Sequence, residues 1–366
     1  MKITKIEPTP SPNVMKLTMD ESLNAGVRLN YTWKEANQAP SYLRQLLAID
    51  TVTGVFQTSD FIALERHPKG DWATILEQVK GVLQVADGIQ TQAATFTATV
   101  VDSSFGEVIV RVQSFRGIPM QVRVSAGIEE KRAALPDRFI QAAMEAGLQS
   151  PNLIMERKLE EHGIRYGELA EVLAEIVMEL DAAFPDDRLH NLVNQSTSDS
   201  VFTDDGFMHP EWQKRYASIQ QLQPTLANLP VFIRALHDSN TTIRRFAVAQ
   251  LGAYDEIDTL PYILQALHDP SPIIRRTAGD VCSDKGDAAA LPEMTELLQD
   301  SNKLVRWRAA RFLYEMGGEE ELDALESAAD DPEFEIRLQI ELAIARITNG
   351  GQAEGTVWQQ MTRRNH

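Results

Sequence analysis

The sequence predicts a multidomain chain: a small α+β domain at the N-terminus, a second α+β domain with a three-stranded antiparallel sheet, and an all-α helical-repeat solenoid at the C-terminus. Three observations carry this reading. Short runs before residue 125 alternate apolar and polar residues at the two-residue period of a strand. Stretches between 137 and 183 change to the helical period, with apolar residues three and four apart. From residue 229 onward the sequence repeats every 31 residues, a period that marks stacked helical hairpins.

The expected division is 1–90, 91–206 and 207–350, followed by a tail over 351–366 read as mobile, with Trp358 the one residue in it suited to docking elsewhere. In the first unit, Val14–Met19 and Val27–Tyr31 read as strands. Ser41 is placed to cap a helix over 42–49 with Leu43, Leu46 and Leu47 on one face. Val52–Gln57 and Phe61–Glu65 read as a hairpin across Thr58, Ser59 and Asp60. Asp71 is placed to cap a last helix carrying Trp72, Ile75, Leu76, Val79 and Leu83.

In the second unit, Ala94–Asp102, Glu107–Gln113 and Pro119–Val124 are the three expected strands, with Gly106 and Gly117 at the connections. Pro136 and Asp137 start a helix with Phe139, Ile140, Ala143 and Met144 on its core face, and Gly147 stops it. A further helix over 167–183 carries the apolar stripe Leu169, Val172, Leu173, Ile176, Val177 and Leu180. Residues 194–206 form a polar linker. Asp199, Asp204, Asp205, His209 and Glu211 cluster there in a spacing that matches no metal-binding signature, so they read as a solvated acidic loop. Asp186 and His190 lie one helical turn apart, but the Pro185 context marks an ordinary helix start.

In the third unit, Leu229–Pro230, Leu260–Pro261, Leu291–Pro292 and Leu322–Asp323 open four repeats. Proline suits a first helical turn because its missing N–H would be unpaired there. Asp238, Asp269, Asp300 and Asp331 fall at the turn between the helices of each pair, where they can cap backbone donors and pair with Arg244, Arg275, Arg306 and Arg337. His237 and His268 occupy equivalent positions and read as repeat residues. The second helices carry Ile243, Ala247, Leu251 and their equivalents at spacings of four, and Cys282 takes the slot of Leu251, Leu313 and Ile344 as a small buried hydrophobe. A helix over 210–222 reads as a degenerate second helix that caps the array. Arg245, Arg276 and Trp307 are repeat-equivalent and outside the core register, and Arg311 follows Trp307 by one turn. These four residues are the candidate partner-binding groove, since arginine and tryptophan dominate interface energetics.

Net charge is −18, spread as about −1, about −8 and about −9 over 1–90, 91–225 and 226–366. Such a balance opposes binding to nucleic acid or to an anionic membrane, and it weighs against a regulator that touches DNA directly. The N-terminal stretch has no signal-like hydrophobic run, and Cys282 is the only cysteine; together they predict a cytoplasmic protein without disulfides. There is no Gly-x-Ser-x-Gly, no His-Glu-x-x-His, no phosphate loop and no dinucleotide fingerprint, so no catalytic residue, cofactor or metal is assigned.

Thr9-Pro10-Ser11-Pro12-Asn13, then Met15-Lys16-Leu17, Gly54-Val55-Phe56, Asp60-Phe61-Ile62 and Asp71-Trp72 resemble the N-terminal domain of Nfu/NifU-type iron–sulfur scaffold proteins. The Ser41-Tyr42-Leu43 segment departs from that pattern. The resemblance implies a protein-contacting module without the cluster-bearing one, because the family's Cys-x-x-Cys pair has no counterpart here. The repeats are similar to the short HEAT-like units also found in phycobilisome lyases, which implies an architecture and no lyase activity. Glu129–Arg132 and Leu135–Phe139 resemble the central region of the conserved virulence factor C family, whose three parts occur in the same order. The resulting expectation is a non-enzymatic adaptor that binds protein partners through its N-terminal domain and its solenoid, accessory to iron–sulfur cluster maturation and affecting virulence-factor production. The alternatives are an enzyme with an unfamiliar site in the middle domain and an iron–sulfur carrier, which a single cysteine disfavours.

Overall fold

A computed structural model describes residues 2–349 apart from 10, 12, 25–26, 68–69, 86–106, 128, 149–151, 153–154, 195–203 and 256–257. The expected strand Ala94–Asp102, Gly106, most of the 194–206 linker, Asp199, and the tail with Trp358 lie outside the described residues.

The first unit contains β1 (Lys2–Pro8), β2 (Val14–Met19), β3 (Arg28–Thr32), α1 (Ser41–Leu47), β4 (Val52–Thr58), β5 (Phe61–Arg66), α2 (Trp72–Val82) and β6 (Gln84–Val85). The strands form one sheet in the order β3-β4-β5-β2-β1-β6. Strand β1 escapes the period-two reading because its pairing with β2 shifts between Ile3 and Lys5. Such a bulge puts its two isoleucines three residues apart. Asp71 caps α2 as expected, its carboxylate accepting from the Thr74 N–H at 2.7 Å. Ser41, by contrast, is the first residue of α1 rather than its cap; Pro40 holds the cap position. Leu43, Leu46, Trp72, Ile75 and Val79 are buried in the core between these helices and the sheet.

The middle unit contains β7 (Glu107–Phe115), β8 (Ile118–Ala126), β9 (Glu129–Ala134), α3 (Asp137–Gly147), β10 (Arg157–Tyr166), α4 (Leu169–Ala183) and α5 (Asp186–Val193). Among the described residues its sheet has four strands, in the order β10-β7-β8-β9, which corrects the three expected. Strands β9 and β10 are edge strands exposed along nearly their whole length, so neither needs the apolar alternation that identifies a half-buried strand. Arg116 (φ 50°) and Gly117 (φ 80°) make the left-handed two-residue turn of the β7–β8 hairpin. Helix α3 buries Phe139, Ala142, Ala143 and Ala146 and leaves Met144 67 % exposed, so its inward face is rotated from the one expected. Helix α4 buries Leu169, Val172, Ile176 and Leu180 as its stripe predicts.

After α6 (Asp204–Phe207) and α7 (Trp212–Ile219), four helix pairs follow: α8 (Leu229–Ala235) with α9 (Thr241–Gly252), α10 (Leu260–Ala266) with α11 (Pro272–Lys285), α12 (Leu291–Glu296) with α13 (Lys303–Met316), and α14 (Leu322–Ser327) with α15 (Phe334–Thr348). Each first helix starts at the residue the repeat predicts. The aspartate series builds a ladder from one pair to the next. Arg244 Nε meets Asp269 Oδ2 at 2.8 Å, Arg275 meets Asp300 at 2.6 Å and Arg306 meets Asp331 at 2.6 Å. The same arginines return Nη1 to the carbonyls of Asp238, Asp269 and Asp300 in their own turns, at 2.9, 2.8 and 2.9 Å. Each aspartate also accepts a backbone N–H two residues on, as Asp300 does from Asn302 at 2.7 Å. Arg215 of α7 supplies the first rung, 2.7 Å from Asp238, so α7 occupies the place of a second helix ahead of the first full pair.

The buried apolar cluster of the middle unit runs without a break from Val108 and Phe139 through Tyr216 and Phe246 to Phe312 and Ala343. The sheet of the middle unit and the repeats therefore share one core. The N-terminal unit keeps its own, against which Phe334 and Leu338 of α15 pack.

The rungs are bidentate and less than one-seventh exposed, so replacing Arg275 with alanine should cost about 2–4 kcal/mol. Asp300→Ala should cost at least as much, because it also strips a turn N–H of its acceptor. Urea unfolding followed by circular dichroism, combined in a double-mutant cycle, measures both and the coupling between them.

Candidate interaction site between the repeats and the sheet domains

The repeat period aligns Arg245, Arg276, Trp307 and Leu338 along successive second helices. Arg276 and Trp307 meet, and Arg245, Arg276 and Leu338 each reach another unit of the same chain. From α9, Arg245 Nη2 donates to Glu179 Oε1 of α4 at 2.7 Å. Glu179 is 3 % exposed and also faces Arg165 of β10 at 3.5 Å, so one buried carboxylate serves two guanidiniums. Burial and then Glu179 push the neighbouring Glu175 carboxyl above its usual range. His162 keeps one side to solvent, yet dense packing and then Arg165 push its imidazole below the usual value, leaving it neutral at pH about 7.

On α11, Arg276 donates through Nη2 to the Tyr166 hydroxyl at 2.8 Å, through Nε to Asp280 at 2.9 Å and through Nη1 to the Leu304 carbonyl at 3.2 Å. Its guanidinium lies 4.3 Å from the Tyr166 ring centroid and 5.3 Å from that of Trp307. Burial, partly offset by Arg276, lifts the Tyr166 phenol to about 12. Trp307 on α13 is 1 % exposed and carries Arg308 on its ring as well, at 5.3 Å; Arg308 in turn meets Asp280 at 2.5 Å. Arg311 is buried and pairs with Glu315 at 2.8 Å. On α15, Leu338 packs on the N-terminal core while Glu335 meets the fully buried Arg66 at 2.7 Å. Arg66 also donates to the Gly70 carbonyl at 2.7 Å and lies 5.0 Å from the Trp72 ring centroid.

The open groove expected at Arg245, Arg276, Trp307 and Arg311 is thus corrected. All four side chains are covered by the chain itself: Arg245 and Arg276 meet α4 and β10, and Trp307 and Arg311 lie buried among their own helices. Arg245 and Arg276 leave the apolar register because they serve a second, charged interface within the molecule. Glu179 was legible as a carboxylate set inside the apolar stripe of α4. Tyr166 ends an exposed strand and Arg66 ends a buried one, and neither position carried a signal.

The remaining sequence candidates have structural places. Asp186 accepts from Arg138 at 3.0 Å, and the same guanidinium meets Asp181 at 2.7 Å, which ties α3 to the start of α5. Between the middle sheet and its helices lie the buried side chains of Val110, Val122, Val124, Phe139 and Ile176. Cys282 is fully buried, and burial lifts its thiol to about 12. None of the described helices is long and apolar enough to cross a membrane.

A sheet domain fused to helical repeats, with a second sheet domain packed on the last repeat, defines a multidomain helical-repeat protein. Known families match its parts in order: scaffold protein Nfu/NifU N terminal over 3–87, virulence factor over 113–193 and HEAT repeats over 260–345. The whole chain is 46 % identical over 374 residues to the uncharacterized protein YpgR of Bacillus subtilis, covering 99 % of this chain and 98 % of that one. It is 39 % identical over 378 residues to the conserved virulence factor C of Staphylococcus saprophyticus, covering 100 % of both. The chain belongs to the conserved virulence factor C family. Among solved structures, that of protein SAV1430 from Staphylococcus aureus is 32 % identical, with a TM-score of 0.21, and the match covers 22 % of this chain and 98 % of that one.

Replacing Glu179 with glutamine would leave Arg165 and Arg245 without their shared counter-charge. It should cost about 3 kcal/mol and speed hydrogen exchange in α4 and α9 before it does so in the N-terminal unit. Cys282 should stay unlabelled by iodoacetamide in the folded protein at pH about 8, where a free cysteine reacts, and label fully on unfolding; intact mass spectrometry reads both states.

Proposed function

We propose that this protein is a non-enzymatic adaptor. Its Nfu/NifU-type domain and its HEAT-repeat solenoid each hold a protein partner, and the middle domain fixes the geometry between them. The observation that carries this reading is the set of buried cross-domain contacts: Arg245 with Glu179, Arg276 with Tyr166, and Arg66 with Glu335. Buried ion pairs add little net stability, but an arrangement that separates them leaves a buried charge unmatched, which is costly. Such a frame favours two binding modules held at a set spacing, which raises the effective concentration of one partner beside the other. Since Arg245, Arg276, Trp307 and Arg311 are engaged within the chain, the solenoid's partner surface in this reading lies on its solvent-facing helices.

The setting we propose is iron–sulfur cluster maturation, with consequences for virulence-factor production. The N-terminal match supports it, and the one cysteine, buried in α11, favours a cluster carried by a partner. Crosslinking and affinity purification of the full chain from cells that express it should recover proteins that assemble or carry clusters, while the purified chain itself shows no visible absorbance. Recovery of none of these proteins would overturn the setting. A brown protein with bound iron and sulfide would overturn the adaptor reading in favour of a carrier.

A further inference from the structure

Strand β3 ends the N-terminal sheet and pairs only with β4 among the described residues. Its register runs unbroken from Arg28 opposite Thr58 to Thr32 opposite Gly54, with neither the bulge nor the proline that often blunts a sheet edge. Thr32 fixes which way the backbone points. Its N–H donates to Glu35 Oε2 at 3.2 Å, away from β4. In an antiparallel pair every second residue turns its N–H and C=O to the same side. Arg28 and Asn30 therefore present theirs to the open edge as well. The Glu35 carboxylate already does at Thr32 what a visiting carbonyl would do at the two earlier positions.

The side chains along this edge alternate. Within the strand Leu29 and Tyr31 make one row, half-buried on the domain core; Val27, just before the strand, and Trp33, the first residue of the 3-10 helix Trp33–Gln38 that follows it, stand 38 % and 47 % exposed at its two ends. Arg28, Asn30 and Thr32 make the other row and are exposed. Lys34 follows, exposed, with its ammonium 5.6 Å from the Trp33 ring centroid. Glu35, the nearest carboxylate along the chain, is engaged by Thr32. Two cations thus flank an apolar row on a domain of net charge about −1, within a chain of −18.

We propose that this edge takes an extended segment of a partner protein as an added strand. The segment carries apolar side chains at alternate positions, laid beside Leu29 and Tyr31, and carboxylates beside Arg28 and Lys34. Main-chain pairing supplies affinity in such a mode, and the alternate side chains supply selectivity. A second copy of this chain fits less well, because two bodies of charge −18 repel. The proposal deepens the adaptor reading by naming the strand and the partner chemistry. Its test uses synthetic peptides, so it stands or falls apart from the iron–sulfur setting and from the solenoid.

The full chain is titrated with two fluorescein-labelled peptides, one alternating valine with aspartate and one alternating valine with lysine, and read by anisotropy and by hydrogen exchange. The acidic peptide should bind about fivefold tighter and protect the backbone amides at 28–32. Asn30→Pro removes an outward donor without touching the β3–β4 ladder and should weaken binding by about tenfold or more at an unchanged melting temperature. Should that variant misfold, the double variant R28E/K34E still decides the matter, since it should invert the peptide preference. Equal binding of the two peptides, an unchanged preference in the charge-inverted variant, protection mapping elsewhere, or a peptide-free dimer protected at 28–32 would each overturn the proposal.

Discussion

A guanidinium withdrawn from water keeps its charge and must be met from several fixed directions by carboxylates, carbonyls or ring faces. From α7 to α15 the protein is arranged around that requirement. One set of arginines, from Arg215 to Arg306, faces the turns and links each repeat to the next through an aspartate. A second set, from Arg245 to Arg311, lies on the same second helices, and its first two members turn toward the rest of the chain. The first set fixes the stacking of the repeats. Within the second, Arg245 and Arg276 fix what is stacked against them, while Arg311 is held by Glu315 of its own helix. Arg66 extends the same chemistry across to the N-terminal unit.

These constraints give the molecule two bodies. The middle sheet and the repeats share a continuous apolar interior, so the polar linker between them in sequence marks no break in packing. Among the described residues the N-terminal unit touches that body at places distant in sequence, including His67 with Glu129 of β9 at 4.0 Å. Ser11 and Asn13 reach Glu107 at the start of β7, at 2.5 and 3.1 Å, and Arg66 reaches Glu335 near the other end of the chain. A domain held at both ends of its neighbour is oriented as well as tethered, which suits a part whose outer strand is left open.

Much of this was legible in sequence because local chemistry decided it. The Leu–Pro starts, the turn aspartates, the Asp71 cap and the α4 stripe report conditions met within a few residues or within one repeat. What escaped was decided elsewhere. Exposed edge strands such as β10 need no apolar period, the bulge in β1 breaks the one it has, and Met144 faces outward because alanines suffice to pack α3 on its neighbours. The row of Arg245, Arg276 and Trp307 was identified as unusual on periodicity alone. Its burial could not be, because Glu179 lies 66 residues from its arginine and Tyr166 lies 110 from its own.

The ladder also has a direction. Every rung joins an arginine to the carboxylate of an aspartate further on, 23 residues ahead for Arg215 and 25 for the three that follow. An array of this kind tolerates the gain or loss of a whole 31-residue unit, since donor and acceptor arrive and leave together. A single residue inserted between two rungs would put both out of phase. Length variation among relatives should therefore come in complete units or fall outside the array, and the repeat region is in effect quantised by its salt bridges rather than by its helices.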